Sequence, residues 1–189
     1  MATKPSSSPS SPSPSPSPQI LSSISTPESS KEIDPRHAYL TLSFLETMGI
    51  KSPIPHNCNA HDFYSDILRS CLKVDRIQRG RITCTFLVKP SISNFFKSLH
   101  GGAFAAAVEL VSIACARSVV AEDKQLFLGE ISLAYLSGAP QNAELQADGS
   151  VVKSGRNVTV VALEFKHKKT GKLIYTARVT FYNMPVANL

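Results

Sequence analysis

Several features that would narrow the class at once are missing from this chain. Its four cysteines, Cys58, Cys71, Cys84 and Cys115, are widely spaced and include no C-x-x-C pair. A zinc site needs ligands at short spacing, so no metal is expected, and a disulfide-dense mini-protein is excluded. Four reduced, mostly buried thiols in an intracellular protein is the expectation. No apolar segment follows a basic start, so no secretory signal is predicted. Charge is almost absent at first: up to Thr26 only Lys4 carries one, the first acid is Glu28 and the first arginine is Arg36. Ser7 to Pro18 is a Ser/Pro tract, which cannot bury enough apolar area to offset chain entropy. Residues 1–30 are therefore expected to be a disordered tail. Their acid-poor, Ser-rich composition also suits an organelle transit segment. The cytosol is favoured, with plastid, mitochondrion or peroxisome as alternatives.

What is present points to one folded domain. The chain has 189 residues, 42% of them hydrophobic, and a formal net charge of +6. Nearly all the basic excess lies beyond the tail. It admits nucleic acid, an anionic membrane surface or a small polyanionic ligand as partner.

The local patterns then assign elements. Asp34 is a good helix N-cap, Pro35 suits the first helical position and Gly49 lies beyond the end, with Leu40, Phe44, Leu45 and Met48 at helical spacing. Residues 31–61 read as this helix plus a loop. Residues 62–189 read as the main domain, opening on a short helical turn at Asp62. Ile82, Cys84, Phe86 and Val88 alternate at strand period. Leu68 to Ile77 reads as the partner strand across a turn at Gln78-Arg79-Gly80. Phe127 to Tyr135 is a strand, with Phe127, Ile131, Leu133 and Tyr135 assigned to one face. Ala143 to Lys153, Asn157 to His167 and Leu173 to Asn183 complete the set, with turns at Gly155 and Gly171. Two strands, one long helix and four strands imply an α+β fold with an antiparallel sheet.

The helix is Gly102 to Ala121, apolar nearly all round, as expected of a helix wrapped by a sheet. Its length would also suit a membrane span, but Glu109 near the middle and Arg117 argue against one. Ala103, Ala105, Ala106, Ala107 and Ala114 suit close contact with a curved sheet. Glu109 is the anomaly, because a carboxylate on an apolar helix must be paired, protonated or functional. One reading satisfies it through Ser112 or Arg117. The other makes it a general base or nucleophile, with its pKa raised by desolvation. At the helix start, His100 precedes Gly101 and Gly102, whose free N–H groups would stabilise an anion or a developing oxyanion. The competing reading is a tight turn. Gly101 and Glu109 are eight residues apart, about 12 Å along one helix. Reacting groups must approach to about 3–3.5 Å. If both serve one site, the acid must come from a second copy of the chain, which implies a homodimer.

At these residues the sequence resembles the hot-dog-fold acyl-CoA thioesterases. The resemblance is nearest to the small single-domain group of the phenylacetate-pathway thioesterase and its mammalian mitochondrial relatives, and it runs from about Phe63 to Asn183. Asn94, His100-Gly101-Gly102 and Glu109 match the family's N…HGG…D/E pattern. Tyr135-Leu136-Ser137-Gly138-Ala139, Lys153-Ser154-Gly155-Arg156 and Thr170-Gly171-Lys172-Leu173-Ile174 resemble three further family segments. The resemblance implies a hot-dog fold in a dimer or a dimer-of-dimers tetramer. It also implies hydrolysis of a fatty or aromatic acyl-CoA without a metal or separate cofactor, CoA being part of the substrate. By position, Gly101 would polarise the thioester carbonyl and Asn94 would orient the thioester or the water. Glu109 from the partner chain would activate that water or attack directly, and His100 would shape the turn. Gly102, Tyr135, Lys153, Gly155 and Arg156 fall among the substrate-binding positions. Two positions depart from the pattern. Leu128 stands where the family usually has Ser or Thr, with Ser132 a substitute only after a register shift, and position 109 is Glu where Asp is commoner.

Three rivals remain. A non-catalytic acyl-CoA or acyl-lipid binding protein could use the same fold. A dehydratase or hydratase would need an acid and a histidine together, and His100 and Glu109 are wrongly spaced for that. Nucleic-acid binding would rest on Lys166, His167, Lys168, Lys169 and Lys172. These lie at a predicted hairpin tip with few aromatics, where a charge run is usually just solvated. No nucleic acid and no membrane span are expected.

Overall fold

The structure is a computed structural model and describes residues 34–53 and 55–186. The tail assigned to residues 1–30 lies outside them. The chain divides after Lys51 into two units. In the first, helix α1 spans Pro35–Thr47, and the Arg36 N–H donates to Asp34 Oδ1 at 2.8 Å, the expected N-cap.

The second unit carries two helices and six strands: α2 (Phe63–Cys71), β1 (Leu72–Gln78), β2 (Arg81–Leu87), α3 (Gly101–Arg117), β3 (Lys124–Tyr135), β4 (Glu144–Ser154), β5 (Val158–His167) and β6 (Leu173–Pro185). All six strands form one sheet in the order β1-β2-β4-β5-β6-β3, and every neighbouring pair is antiparallel. The α+β reading, with one long helix wrapped by an antiparallel sheet, is borne out.

Alternation explains the core. On β2, Ile82, Cys84 and Phe86 face inward and are buried, while Thr83 and Thr85 are only half-buried. Leu145 and Ala147 on β4, Val161, Leu163 and Phe165 on β5, and Tyr175, Ala177, Val179 and Phe181 on β6 continue that layer. From α3, Ala103, Phe104, Ala107, Val108, Val111 and Cys115 fill it from the other side. Gly149 makes room for the Ile82 side chain of β2: a Cβ there would lie 2.9 Å from Ile82 Cγ2, while Cys115 of α3 would be in ordinary contact at 3.7 Å. Cys71, Cys84 and Cys115 are buried and form no disulfide. Burial pushes the Cys84 and Cys115 thiols up to about 11.

Three expectations need correction. Leu68 to Cys71 is not strand. Helix α2 continues to Cys71, because Leu68 and Cys71 turn to one buried face at helical spacing. The central helix ends at Arg117 rather than Ala121, and no helix among the described residues is long and apolar enough to cross a membrane. Phe127 does not share a face with Ile131 and Leu133. A bulge between Leu128 and Glu130 shifts the register, so Leu126 and Leu128 turn inward and Phe127 is 63% exposed. Gly129 sits in that bulge under the Tyr182 ring, where a Cβ would lie 2.5 Å from Cε2.

Candidate functional site

The start of α3 is built by its neighbours. The His100 N–H donates to the Ile92 carbonyl at 2.9 Å and the Leu99 N–H to the Ala139 carbonyl at 2.8 Å. His100 is the N-cap: its Nδ1 accepts the Gly102 N–H at 3.0 Å. This histidine therefore shapes the turn, and the Gly102 N–H is already used. A Cβ on Gly102 would meet His100 Nδ1 at 3.2 Å, so a larger residue would push against the cap. The Gly101 N–H has no acceptor among the described residues. It remains a free donor at the positive end of a 17-residue helix.

Gly101 lines an open pocket of about 420 Å³ with Asn94, Ser98, Leu99, Tyr135, Leu136, Ser137, Gly138 and Tyr175. Its walls are fixed by hydrogen bonds. Asn94 Oδ1 accepts the N–H groups of Phe96 (3.0 Å) and Ser98 (3.1 Å), which leaves its amide NH₂ as the unused donor. The Tyr135 hydroxyl donates to the Gly101 carbonyl at 3.1 Å, and its ring packs edge-on against Phe104 and Tyr175. The Tyr175 hydroxyl accepts the buried Ala139 N–H at 3.1 Å. Burial also pushes that hydroxyl above its ordinary pKa, so it stays protonated. No Asp, Glu, His or Cys lines this pocket.

Glu109 lies elsewhere. It is half-buried in a groove of about 330 Å³ between α2 and α3, with Tyr64, Ser65, Leu68, Arg69, Ala106, Leu110 and Ile113. The proposed structural partners do not reach its carboxylate. The Ser112 hydroxyl donates to the Glu109 backbone carbonyl at 2.9 Å, and Arg117 donates to the Lys124 carbonyl. Among the described residues nothing pairs with the carboxylate. Glu109 is thus only partly enclosed within one chain, because this side of α3 is open. Gly101 and Glu109 do share one continuous helix, so the separation of about 12 Å stands.

Tyr135 is the one substrate-binding candidate on strand or turn that sits beside Gly101. Lys153, Gly155 and Arg156 are exposed at the β4–β5 hairpin. Tyr135 pairs with Tyr175 and Tyr175 with Phe165. From Phe165 back to Val158, where that hairpin ends, is seven residues of β5, or about 23 Å. The structure thus brings Asn94, Gly101 and Tyr135 together and leaves Glu109 and the Lys153–Arg156 turn apart from them in the same chain. Leu128 packs against the core, and Ser132 is exposed on the outer face opposite Arg178, so the bulge does not turn it toward α3. Phe95 and Phe96 pack edge-on at 5.6 Å and are exposed.

Sequence reasoning missed Tyr175 and Tyr64. Tyr175 reaches the pocket only through its pairing with Tyr135. Tyr64 donates to the Gly102 carbonyl at 3.3 Å and borders both the Glu109 groove and a smaller one at His100. Neither has a local signal beyond its helix or strand period.

Comparison with known proteins agrees with this architecture. Residues 96–174 match the model of the thioesterase superfamily. A Caenorhabditis elegans protein named, provisionally, as an esterase is 26% identical over 109 residues, which cover 58% of this chain and 64% of that relative. The chain thus spans just under two thirds of that relative's length. Among solved structures, zebrafish thioesterase superfamily member 2 superposes with a TM-score of 0.60 at 22% identity, covering 66% of this chain and 88% of its own. A Streptococcus mutans protein bound to acetyl-CoA superposes with a TM-score of 0.56 at 19% identity, covering 60% and 89%. The fold is the hot-dog fold. The resemblance to its thioesterases holds over the segment that carries Gly101, Glu109 and Tyr135.

Proposed function

We propose that the protein is an acyl-CoA thioesterase whose active site is completed by a second copy of the chain. One observation carries this reading: the pocket at the start of α3 offers a free N–H donor and a free amide but no acid or base, while an unpaired carboxylate stands eight residues further along the same helix. The thioesterase-superfamily match and the hot-dog neighbours, one of them bound to acetyl-CoA, support the substrate class.

In this reading the thioester carbonyl oxygen sits against the Gly101 N–H, and the Asn94 amide orients the thioester or the water. Glu109 of a second copy takes a proton from water as its oxygen attacks the carbonyl carbon. The oxyanion develops at the Gly101 N–H, in the field of the α3 N-terminus. Collapse of the tetrahedral species breaks the C–S bond, and the thiolate of CoA recovers the proton from Glu109. The fatty or aromatic acyl group would lie along the groove beside Glu109, whose walls include Leu68, Leu110 and Ile113. Lys153, Gly155 and Arg156 would reach CoA only from another subunit of a dimer or tetramer.

Thiol release across a series of acyl-CoA esters tests this. Glu109→Gln should lower kcat by about 10²- to 10⁴-fold, the range for loss of a general base. Unchanged turnover would overturn the assignment of Glu109. CoA-ester binding without turnover by the wild type would leave a non-catalytic acyl-CoA binding protein, the role in which Leu128 in place of a Ser or Thr would cost nothing.

A further inference from the structure

The basic run at the β5–β6 hairpin is not merely a solvated tip, because the fold places one of its lysines, Lys172, against Ser137, which lines the Gly101 pocket. We propose that Lys172 is a phosphate-binding residue there, holding a phosphate of the CoA arm of the ligand. The inference rests on the reading of that pocket as a CoA-thioester site.

Hydrogen bonds hold the hairpin in place. The Gly171 N–H donates to the His167 carbonyl at 2.8 Å and the His167 N–H to the Lys172 carbonyl at 2.8 Å, closing a tight turn in which Gly171 has φ 69°. Two residues later, the Ile174 carbonyl accepts the N–H groups of Leu136 (3.1 Å) and Ser137 (3.2 Å). The hairpin and the pocket wall are therefore one hydrogen-bonded unit. Across it, Lys172 Nζ lies 3.3 Å from the Ser137 hydroxyl, and Ser137 lines the pocket with Gly101.

The charges sort the lysines. Lys166 is held by Glu164 at 2.7 Å, and its pKa is raised by that hydrogen bond. Lys168 is held by Glu144 at 3.5 Å and by Thr85 Oγ1 at 3.0 Å. Lys172 has no carboxylate partner among the described residues, and no acid lines the pocket beside it. Its ammonium is thus an uncompensated cation fixed at the rim of a site that otherwise offers only neutral donors. A lysine so placed serves phosphate as a point charge.

The test compares an acyl-CoA with the same acyl group on N-acetylcysteamine, which keeps the thioester and lacks every phosphate. For Lys172→Gln and Lys172→Glu, KM for the CoA ester should rise about five- to twentyfold, a charge-assisted contact discounted for exposure. The ratio of kcat/KM for the two esters should fall accordingly. An unchanged ratio overturns the proposal. So does an equal loss on both esters, which would mark a structural role. A ratio that falls in a Lys153→Gln, Arg156→Gln double variant while Lys172→Glu leaves it alone overturns it too. If the wild type hydrolyses neither ester, the thioesterase reading fails by itself. Calorimetric titration with free CoA then decides the inference: weaker binding to Lys172→Glu than to wild type supports it, and equal or no binding overturns it.

Discussion

A single backbone N–H is hard to delete without harming a fold, but position 101 permits it. Gly101 is the first residue of α3, where a helix makes no use of its N–H and where proline is tolerated. Proline also constrains the residue before it to extended backbone. His100 already has φ −67° and ψ 130°, so Gly101→Pro asks for no change there. The substitution therefore removes the candidate oxyanion donor while leaving the His100–Gly102 cap available. Loss of one such donor lowers kcat by about 10²- to 10³-fold, some 2.7–4 kcal/mol of transition-state stabilisation. Gly101→Ala is the matched control because it keeps the N–H. Its Cβ would lie 3.5 Å from the Tyr135 hydroxyl and 3.6 Å from the ring, ordinary van der Waals contact. Thiol release measures kcat, while circular dichroism and a thermal melt report the fold. The expected pattern is a large loss for Gly101→Pro, a small one for Gly101→Ala, and similar melting for both. A folded Gly101→Pro protein with wild-type kcat would refute the oxyanion role of this turn.

Further expectations follow from the same geometry. Mixing Glu109→Gln chains with Gly101→Pro chains should restore activity to about a quarter of wild type. Random pairing makes half the dimers mixed, each with one intact site of two, and no recovery would refute a site shared between chains. Tyr175→Phe leaves the buried Ala139 N–H without its acceptor. It should lower stability by about 1–3 kcal/mol, read as a lower urea midpoint; an unchanged midpoint would mean that the pocket wall is held by other bonds. Cys84 and Cys115, with thiols pushed up to about 11 by burial, should resist a disulfide reagent at pH 8 in the folded protein and react on unfolding. Because the folded state holds these protons more tightly than the unfolded one, their contribution to stability is complete below about pH 9 and is lost as pH rises toward 11. A flat urea midpoint across that interval would refute the shift.

What could be read in the sequence was local, and what could not was pairing. The β2 alternation and the His-Gly-Gly turn before an apolar helix each lie within a few residues, and the structure keeps them. The α2 boundary was misread because Leu68, Cys71 and Leu72 suit a helix face and a strand equally until the burial partners are known. The β3 face was misread because one bulge residue, Gly129, breaks the period. The distance between Gly101 and Glu109 was legible because helix rise is fixed by local geometry. The position of the cations was not. Both the β4–β5 and β5–β6 hairpins carry basic residues, and two successive turns of an antiparallel meander must lie at opposite ends of the strand they share. Only one of them can stand beside Gly101. The pairing of Tyr135 with Tyr175, between strands about 40 residues apart, selects the β5–β6 turn and sends Lys153 and Arg156 to the far end. The end of a sheet that a turn occupies is set by strand order, which composition does not encode, so residue type and spacing alone could not say which hairpin stands beside Gly101 within a single chain.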